Sequence, residues 1–413
     1  MDLTILRRLS SGNKSAGWGK DLGISIDIKT RVFDEEDMAY RLFPGQGYRY
    51  FRAMKDNSIV FLDNPGIPLP PANGYQKTPE MLEHIARSEE KQSYTNANSE
   101  NLRAELAEID AQDFTNSRWG KKRELNLGWL NGLYCQAKIG DLIVVPGPGL
   151  YKNEEGEFER GYTLVGEIIG EPERWAREIL PNLFLGQYVV RRVRWLAEIN
   201  ELELDPKVSV ALRTQNALIS MRARSFERVL GAAYKNVIMG EEFLARFVTR
   251  NAEFTTFESF HFNAFVMAAV AACRKIQNGG DHWAEDQTIY DIAATVERTD
   301  ELVPDQEASI HSPGYLTLRG SMMVPAVLSA LFALALEANA DPFAGAGTDQ
   351  VTVVNSESTA FDPCDVGIDH AVREALNIMG YDRWQQACDA SRKANANNGL
   401  QSITTVTNTP DEE

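Results

Sequence analysis

Apolar and polar positions change period several times along the chain. Around residues 126–219, short apolar runs closed by glycine and proline read as strands. LIVV at 142–145 stops at Pro146-Gly147-Pro148-Gly149, residues 162–169 are apolar between glycines, and 188–196 alternates apolar residues with arginine. Ile139-Gly140-Asp141 reads as a tight turn into the first of these strands, because glycine accepts positive φ and aspartate bonds nearby amides. Upstream, GISIDIKTRVF at 23–33 places Ile24, Ile26 and Ile28 on one face, and 58–62 adds another strand. Together these strands predict a small β-barrel. Residues 78–113 interrupt it with helical spacing at Met81, Leu82 and Ile85 and again at Leu102, Leu106 and Ile109, so a helical insertion is expected there.

Beyond the barrel, residues 213–234 read as a closing strand running into a helix, and 240–250 and 257–276 read as helices. The second of these is almost wholly apolar from Phe260 to Cys273 and is expected to be buried. Residues 288–296 fit neither period, and 308–318 gives two strand pieces broken at Ser312-Pro313-Gly314. MMVPAVLSALFALAL at 322–336 reads as a helix with Pro325 in its first turn. Its length falls short of the roughly 20 residues that span a bilayer, so a core or oligomerisation helix is favoured, with Met322, Leu328, Leu331 and Phe332 as interface candidates. Residues 351–354 read as a strand, and 367–379 and 382–396 as surface helices. The fold class expected is α+β: an N-terminal arm (1–23), a barrel over 24–225 with its insertion at 78–113, a helical connector (226–277), an acidic α+β C-terminal region (278–400) and a disordered tail (401–413).

Charge divides the chain unevenly. The net charge is −17, yet residues 276–413 carry six Lys and Arg against 22 Asp and Glu, leaving the preceding 275 residues close to neutral. A basic surface is therefore open to the first two thirds, while the last third would repel a phosphate backbone. Residues 1–15 show no apolar signal-peptide core, and Cys135, Cys273, Cys364 and Cys388 form no CxxC pair. A cytoplasmic, reduced setting is expected, with no disulfide framework and no structural metal.

Motifs of catalysis are missing from the sequence: it holds no GK[ST] phosphate loop, no HExxH, no GxSxG and no EF-hand loop. Gly345-Ala346-Gly347-Thr348-Asp349 suggests a glycine-rich lead to a metal-binding aspartate, but Lys393 is the sole lysine after it, so the lysine strand that would complete a metal-dependent nuclease site is lacking. No catalytic residue, cofactor or metal site is expected. Pro44-Gly45-Gln46-Gly47 is either a ligand cradle or a simple turn. Ser117–Arg123 sets Arg118, Lys121, Lys122 and Arg123 around Trp119, as a solvated loop or as a phosphate-contacting loop with a ring for stacking.

The order of Tyr40–Gly47 with Arg49, the strand at 58–62, the helical insert, GDLIVVP at 140–146, VGEIIG at 165–170 and RRVRWL at 191–196 resembles the PUA-like, EVE-related domains. Such domains precede the nuclease in many Mrr-type restriction endonucleases and occur in other bacterial antiphage defence proteins. The resemblance covers residues 24–225 and implies recognition of nucleic acid, commonly of a modified or flipped base held against aromatic walls. On that basis the base-pocket candidates are Tyr48, Tyr50, Trp119, Trp129 and Trp195, with Trp175 a further wall. The phosphate-contact candidates are Lys121, Lys122, Arg123, Arg191, Arg192 and Arg194. The four glutamates of 151–160 depart from a phosphate-binding surface.

Two classes of function follow. The first is a defence protein whose barrel reads nucleic acid, DNA being favoured and foreign or modified DNA most of all, while the acidic region binds a second copy or an effector partner. The second is an effector whose nuclease or membrane-disrupting activity lies in the C-terminal region, or a sensor of a protein partner or nucleotide that binds no nucleic acid.

Overall fold

The computed structural model describes the chain except residues 1–22, 94–101, 149, 153–157, 161, 176–184, 201–209, 211, 213, 215, 252–253, 281, 298–299, 310–313, 338–339, 345–346 and 409–413. The expected N-terminal arm, the acidic tip within 151–160 and the last residues of the tail thus lie outside or largely outside the described residues. Helices and strands are mixed throughout, so the protein is α+β. The chain divides into two compact units, residues 35–233 and residues 1–34 together with 234–413.

The alternating stretch at 23–33 belongs to the second of these units rather than to the expected barrel. It forms two strands, Ile24–Asp27 and Thr30–Phe33, separated at Lys29, whose φ is 45°. Ile24–Asp27 is the central strand of a three-stranded sheet, parallel to Val351–Val354 and antiparallel to Thr405–Asn408. Part of the expected disordered tail is therefore a paired strand. Thr30–Phe33 pairs in parallel with Asn236–Met239 at the edge of a five-stranded sheet. Next in that sheet come Glu242–Val248, Tyr315–Ser321 and Asp305–Ser309. Side-chain amides fasten these joins: Asn355 accepts from the Thr30 amide at 2.8 Å and donates to its carbonyl at 2.9 Å, and Asn236 donates to the Ile28 carbonyl at 2.6 Å.

Residues 242–248, expected as part of a helix, are a strand because Phe243, Ala245 and Phe247 bury one face at period two. Three helices, Thr256–Gln277, Met323–Leu336 and Ile368–Asn395, fill the core of this unit with them. The two helices expected at 367–396 are one segment interrupted at Gly380, where φ is 66°. Phe332 meets Phe247, Phe262 and Phe265 edge-on at 5.2–5.7 Å. Leu328, Leu331 and Phe332 are completely buried within this one chain and Met322 is half-buried, so the proposed interface residues are core. A helix apolar all round is a core element, and the surrounding unit already covers it. Among the described residues no helix is long and apolar enough to cross a membrane.

In the unit of residues 35–233 the strands run, in spatial order, Leu218–Arg222, Met38–Leu42, Leu142–Val145, Tyr162–Ile168, Tyr188–Asn200 and Ile59–Val60, with Glu173–Trp175 beside Tyr188–Asn200. Among the described residues no pairing joins Ile59–Val60 to Leu218–Arg222, and no closed barrel is found. Met38–Leu42 and Leu142–Val145 are parallel, which requires a long crossover between them. That crossover holds the expected helical insert of 78–113, as Pro79–Ser93 and Leu102–Ala111, flanked by Phe51–Asn57 and the short strand Ile59–Val60 before it and Lys121–Asn131 after it. Tyr134, buried, ties the crossover to the sheet by accepting from the Leu62 amide at 3.0 Å and donating to the Val189 carbonyl at 2.7 Å.

Candidate functional site

A cleft of about 550 Å³ opens in the unit of residues 35–233 between the helical crossover and the turn after Met38–Leu42. One wall is helical. Lys122, Asn126 and Trp129 lie at i, i+4 and i+7 on Lys121–Asn131, a spacing that aligns them on one face, and all three line the cleft. Glu89 and Gln92, at i and i+3 on Pro79–Ser93, line it from a second helix.

The opposite side is the turn of Phe43, Gly45, Gln46 and Gly47. Gly45 has φ 79°, and a Cβ there would lie 2.7 Å from the Tyr50 ring, so no other residue fits without displacing that ring. Tyr50 itself lies beneath the cleft, 1% exposed, edge-on to Phe61 at 5.1 Å, with its hydroxyl donating to Asp63 Oδ1 at 2.8 Å. Arg49 pairs with the other Asp63 oxygen and holds its guanidinium 4.8 Å from the centre of the Tyr50 ring. Burial pushes the Asp63 carboxyl above the ordinary aspartate range, against the pull of Arg49 and Tyr50. Asn64 and Asn126 exchange side-chain hydrogen bonds at 3.0 and 2.9 Å, joining the end of the Ile59–Val60 segment to the helical wall.

Of the sequence candidates, Trp129 and Lys122 line the cleft, and Tyr50 supports its floor without facing it. Lys121 is exposed at the start of the same helix. Arg123, half-buried, donates to Glu89 at 2.9 Å and to the Arg118 carbonyl at 2.9 Å. Tyr48 packs on Phe43 at 5.0 Å, and Trp119 sits beneath the Lys77 ammonium at 5.6 Å; neither lines the cleft. Trp195 lies on the sheet, its ring over Gly166 and its indole N–H donating to the Lys55 carbonyl at 3.2 Å. Trp175 is half-buried on its short strand beside Tyr188–Val190.

The three arginines of Tyr188–Asn200 separate by face. Arg191 is 1% exposed and donates to the carbonyls of Gly170, Leu133 and Ala137, so it cannot reach a phosphate and is removed from the contact set. Burial lowers its pKa. Arg192 and Arg194 are exposed and pair with Glu173 at 2.8 Å and Glu167 at 2.7 Å, away from the cleft lining. The residues that sequence reading missed are Arg49, Asp63, Asn64, Glu89, Gln92 and Asn126. For Asn126 the missing signal was the helix Lys121–Asn131: with residues 117–123 read as a loop and no helix assigned after them, the shared face of Lys122, Asn126 and Trp129 stays hidden.

Among the described residues no group of three or more His, Cys, Asp or Glu side chains is placed to hold a metal ion. No family model matches the chain, and no curated protein matches it either.

Proposed function

We propose that residues 35–233 are a PUA-like, EVE-related unit that binds nucleic acid, DNA in the first place and foreign or modified DNA most of all, in a bacterial antiphage defence protein. A single base enters the cleft, and the acidic remainder of the chain recruits a second copy or an effector partner. The observation that carries this reading is the cleft wall on which Lys122, Asn126 and Trp129 share one helical face. An indole offers a flat platform for a base, the Asn126 amide, anchored by Asn64, keeps one N–H and one oxygen lone pair for a base edge, and a lysine at the rim meets phosphate. The cleft volume falls in the range of small-ligand sites, which is ample for one nucleoside. Charge agrees: residues 35–233 hold 25 Lys and Arg against 29 Asp and Glu, a balance of −4, whereas the rest of the chain holds 17 against 30, a balance of −13.

The test is binding of the purified protein to unmodified and modified double-stranded DNA, single-stranded DNA and RNA across a salt series. Salt-sensitive binding is expected, weakened by Trp129→Ala by the roughly 1–3 kcal/mol of one base–aromatic stack in a protein that stays folded; melting is followed alongside, because Trp129 also packs against the core of the unit. Absence of binding to every nucleic acid at low salt defeats the reading. Binding that survives Trp129→Ala but disappears in Arg192→Ala/Arg194→Ala relocates it to the sheet face.

A further inference from the structure

The two cations that line the cleft, Arg49 and Lys122, and Arg123 behind the cleft-lining Glu89, are already engaged by carboxylates of the same unit. Arg49 is held by Asp63, and Lys122 and Arg123 converge on one acid, Glu89, at 3.4 and 2.9 Å. The two partners of Glu89 differ in exposure: the Lys122 side chain is 83% exposed and that of Arg123 26%, while Glu89, 17% exposed, lines the cleft from its helix. A carboxylate bracketed by a lysine and an arginine occupies the position in which a phosphate would be bracketed by the same two cations.

We propose that Glu89 is a built-in competitor of the nucleic-acid backbone, holding Lys122 and Arg123 in the free protein and yielding them to a phosphate when a base enters the cleft. This rests on the reading of the cleft given above. Binding then exchanges two internal ion pairs for phosphate contacts, and the exchange sets a threshold: strands that engage the rim alone do not repay the broken pairs, and strands that also seat a base on Trp129 do. Non-specific binding is thereby suppressed without any loss of the cations that specific binding uses. The chemistry recognised at this point is a phosphodiester flanking the captured nucleotide.

The experiment is the salt dependence of binding by the full chain, wild type beside Glu89→Gln, with unmodified single-stranded DNA as the probe. Glu89→Gln is expected to tighten binding by roughly threefold to tenfold, the scale of two partly exposed ion pairs that no longer compete. It is also expected to steepen the log–log salt slope by about 0.7 to 1.4, because each of the two cations released to phosphate adds roughly 0.7 on a single strand. Both gains should vanish when Lys122→Ala/Arg123→Ala is added. Glu89→Asp, which withdraws the carboxylate by one methylene, should shift affinity less and in the same direction, and it carries the test if the glutamine variant melts early. Unchanged or weaker binding by a folded Glu89→Gln protein overturns the proposal and makes Glu89 a ligand or positioning residue. If neither wild type nor any variant binds nucleic acid, it is the reading of the cleft that fails.

Discussion

Arg191 and Arg192 are neighbours in one strand with opposite fates. The side chain of Arg191 turns inward, where it is 1% exposed and supplies the donors for three backbone carbonyls. That of Arg192 turns outward to a single half-exposed partner, Glu173. Replacing Arg191 by methionine keeps much of its length but leaves those carbonyls unpaired, at roughly 1–3 kcal/mol for each one that water cannot reach. A large drop in the melting temperature of the 35–233 unit is expected, while Arg192→Ala should change stability by about 0.5 kcal/mol or less. Thermal melts of the two variants settle the contrast, and equal effects would refute it. The alternation of faces was legible in RRVRWL, since strand geometry sends adjacent side chains to opposite sides. Which face was inside was not legible: arginine is a surface residue by default, and its burial here depends on carbonyls contributed by residues 133, 137 and 170.

Elements whose stability is local were the ones that pattern reading found. Leu142–Val145, Tyr162–Ile168, Pro79–Ser93 and Met323–Leu336 carry their own apolar periodicity and their own stop signals. Lys121–Asn131 was missed because it includes a glycine and has no capping side chain, so it depends on tertiary contacts such as Asn126 with Asn64 and the burial of Leu130. The helix Thr256–Gln277 shows the reverse case, a strong local start. Thr255 and Glu258 form a capping box, and Glu258 also accepts from Asn397 at 2.7 Å, which binds this helix to the segment after Ile368–Asn395. Those hydrogen bonds to Thr255 and Asn397 bring the Glu258 carboxyl down from 4.5 to about 2. A carboxyl depressed in the folded state stabilises above its unfolded value and loses that contribution as pH falls through its folded value. Melting temperature should therefore decline between about pH 4.5 and pH 2, and Glu258→Gln should flatten that part of the profile. Thr255→Ala should cost about 1 kcal/mol, the usual worth of an N-cap. An unaltered acid limb in Glu258→Gln would show that other carboxylates govern it.

At the scale of the whole molecule the decisive feature is an insertion that the sequence could not announce. Residues 35–233 interrupt a unit whose strands Ile24–Asp27 and Thr30–Phe33 find their partners more than two hundred residues later. Alternation showed that residues 23–33 were strand, but an alternating segment does not name its neighbour, and proximity in sequence favoured the barrel. The consequence can be tested by cutting. Residues 35–233 hold their own core and should fold when expressed alone, retaining the salt-sensitive nucleic-acid binding proposed above. Residues 234–413 alone should not fold, because Ile24–Asp27 is the strand that both Val351–Val354 and Thr405–Asn408 pair with, and Ile24, Ile26 and Ile28 are core residues. Restoring residues 23–34 should rescue them, but only through a linker of sufficient length. Thr30–Phe33 and Asn236–Met239 run parallel in register, so the chain leaving after Phe33 must return along the strand to enter at Asn236. At about 3.3 Å per residue that return spans roughly four residues of strand, and a flexible linker of about a dozen residues or more should allow it where a two-residue hairpin turn cannot. Circular dichroism and cooperative melting of the short-linker and long-linker proteins give the answer. Cooperative folding of 234–413 without the first strands would show that the N-terminal segment is an accessory and not a structural member of that unit.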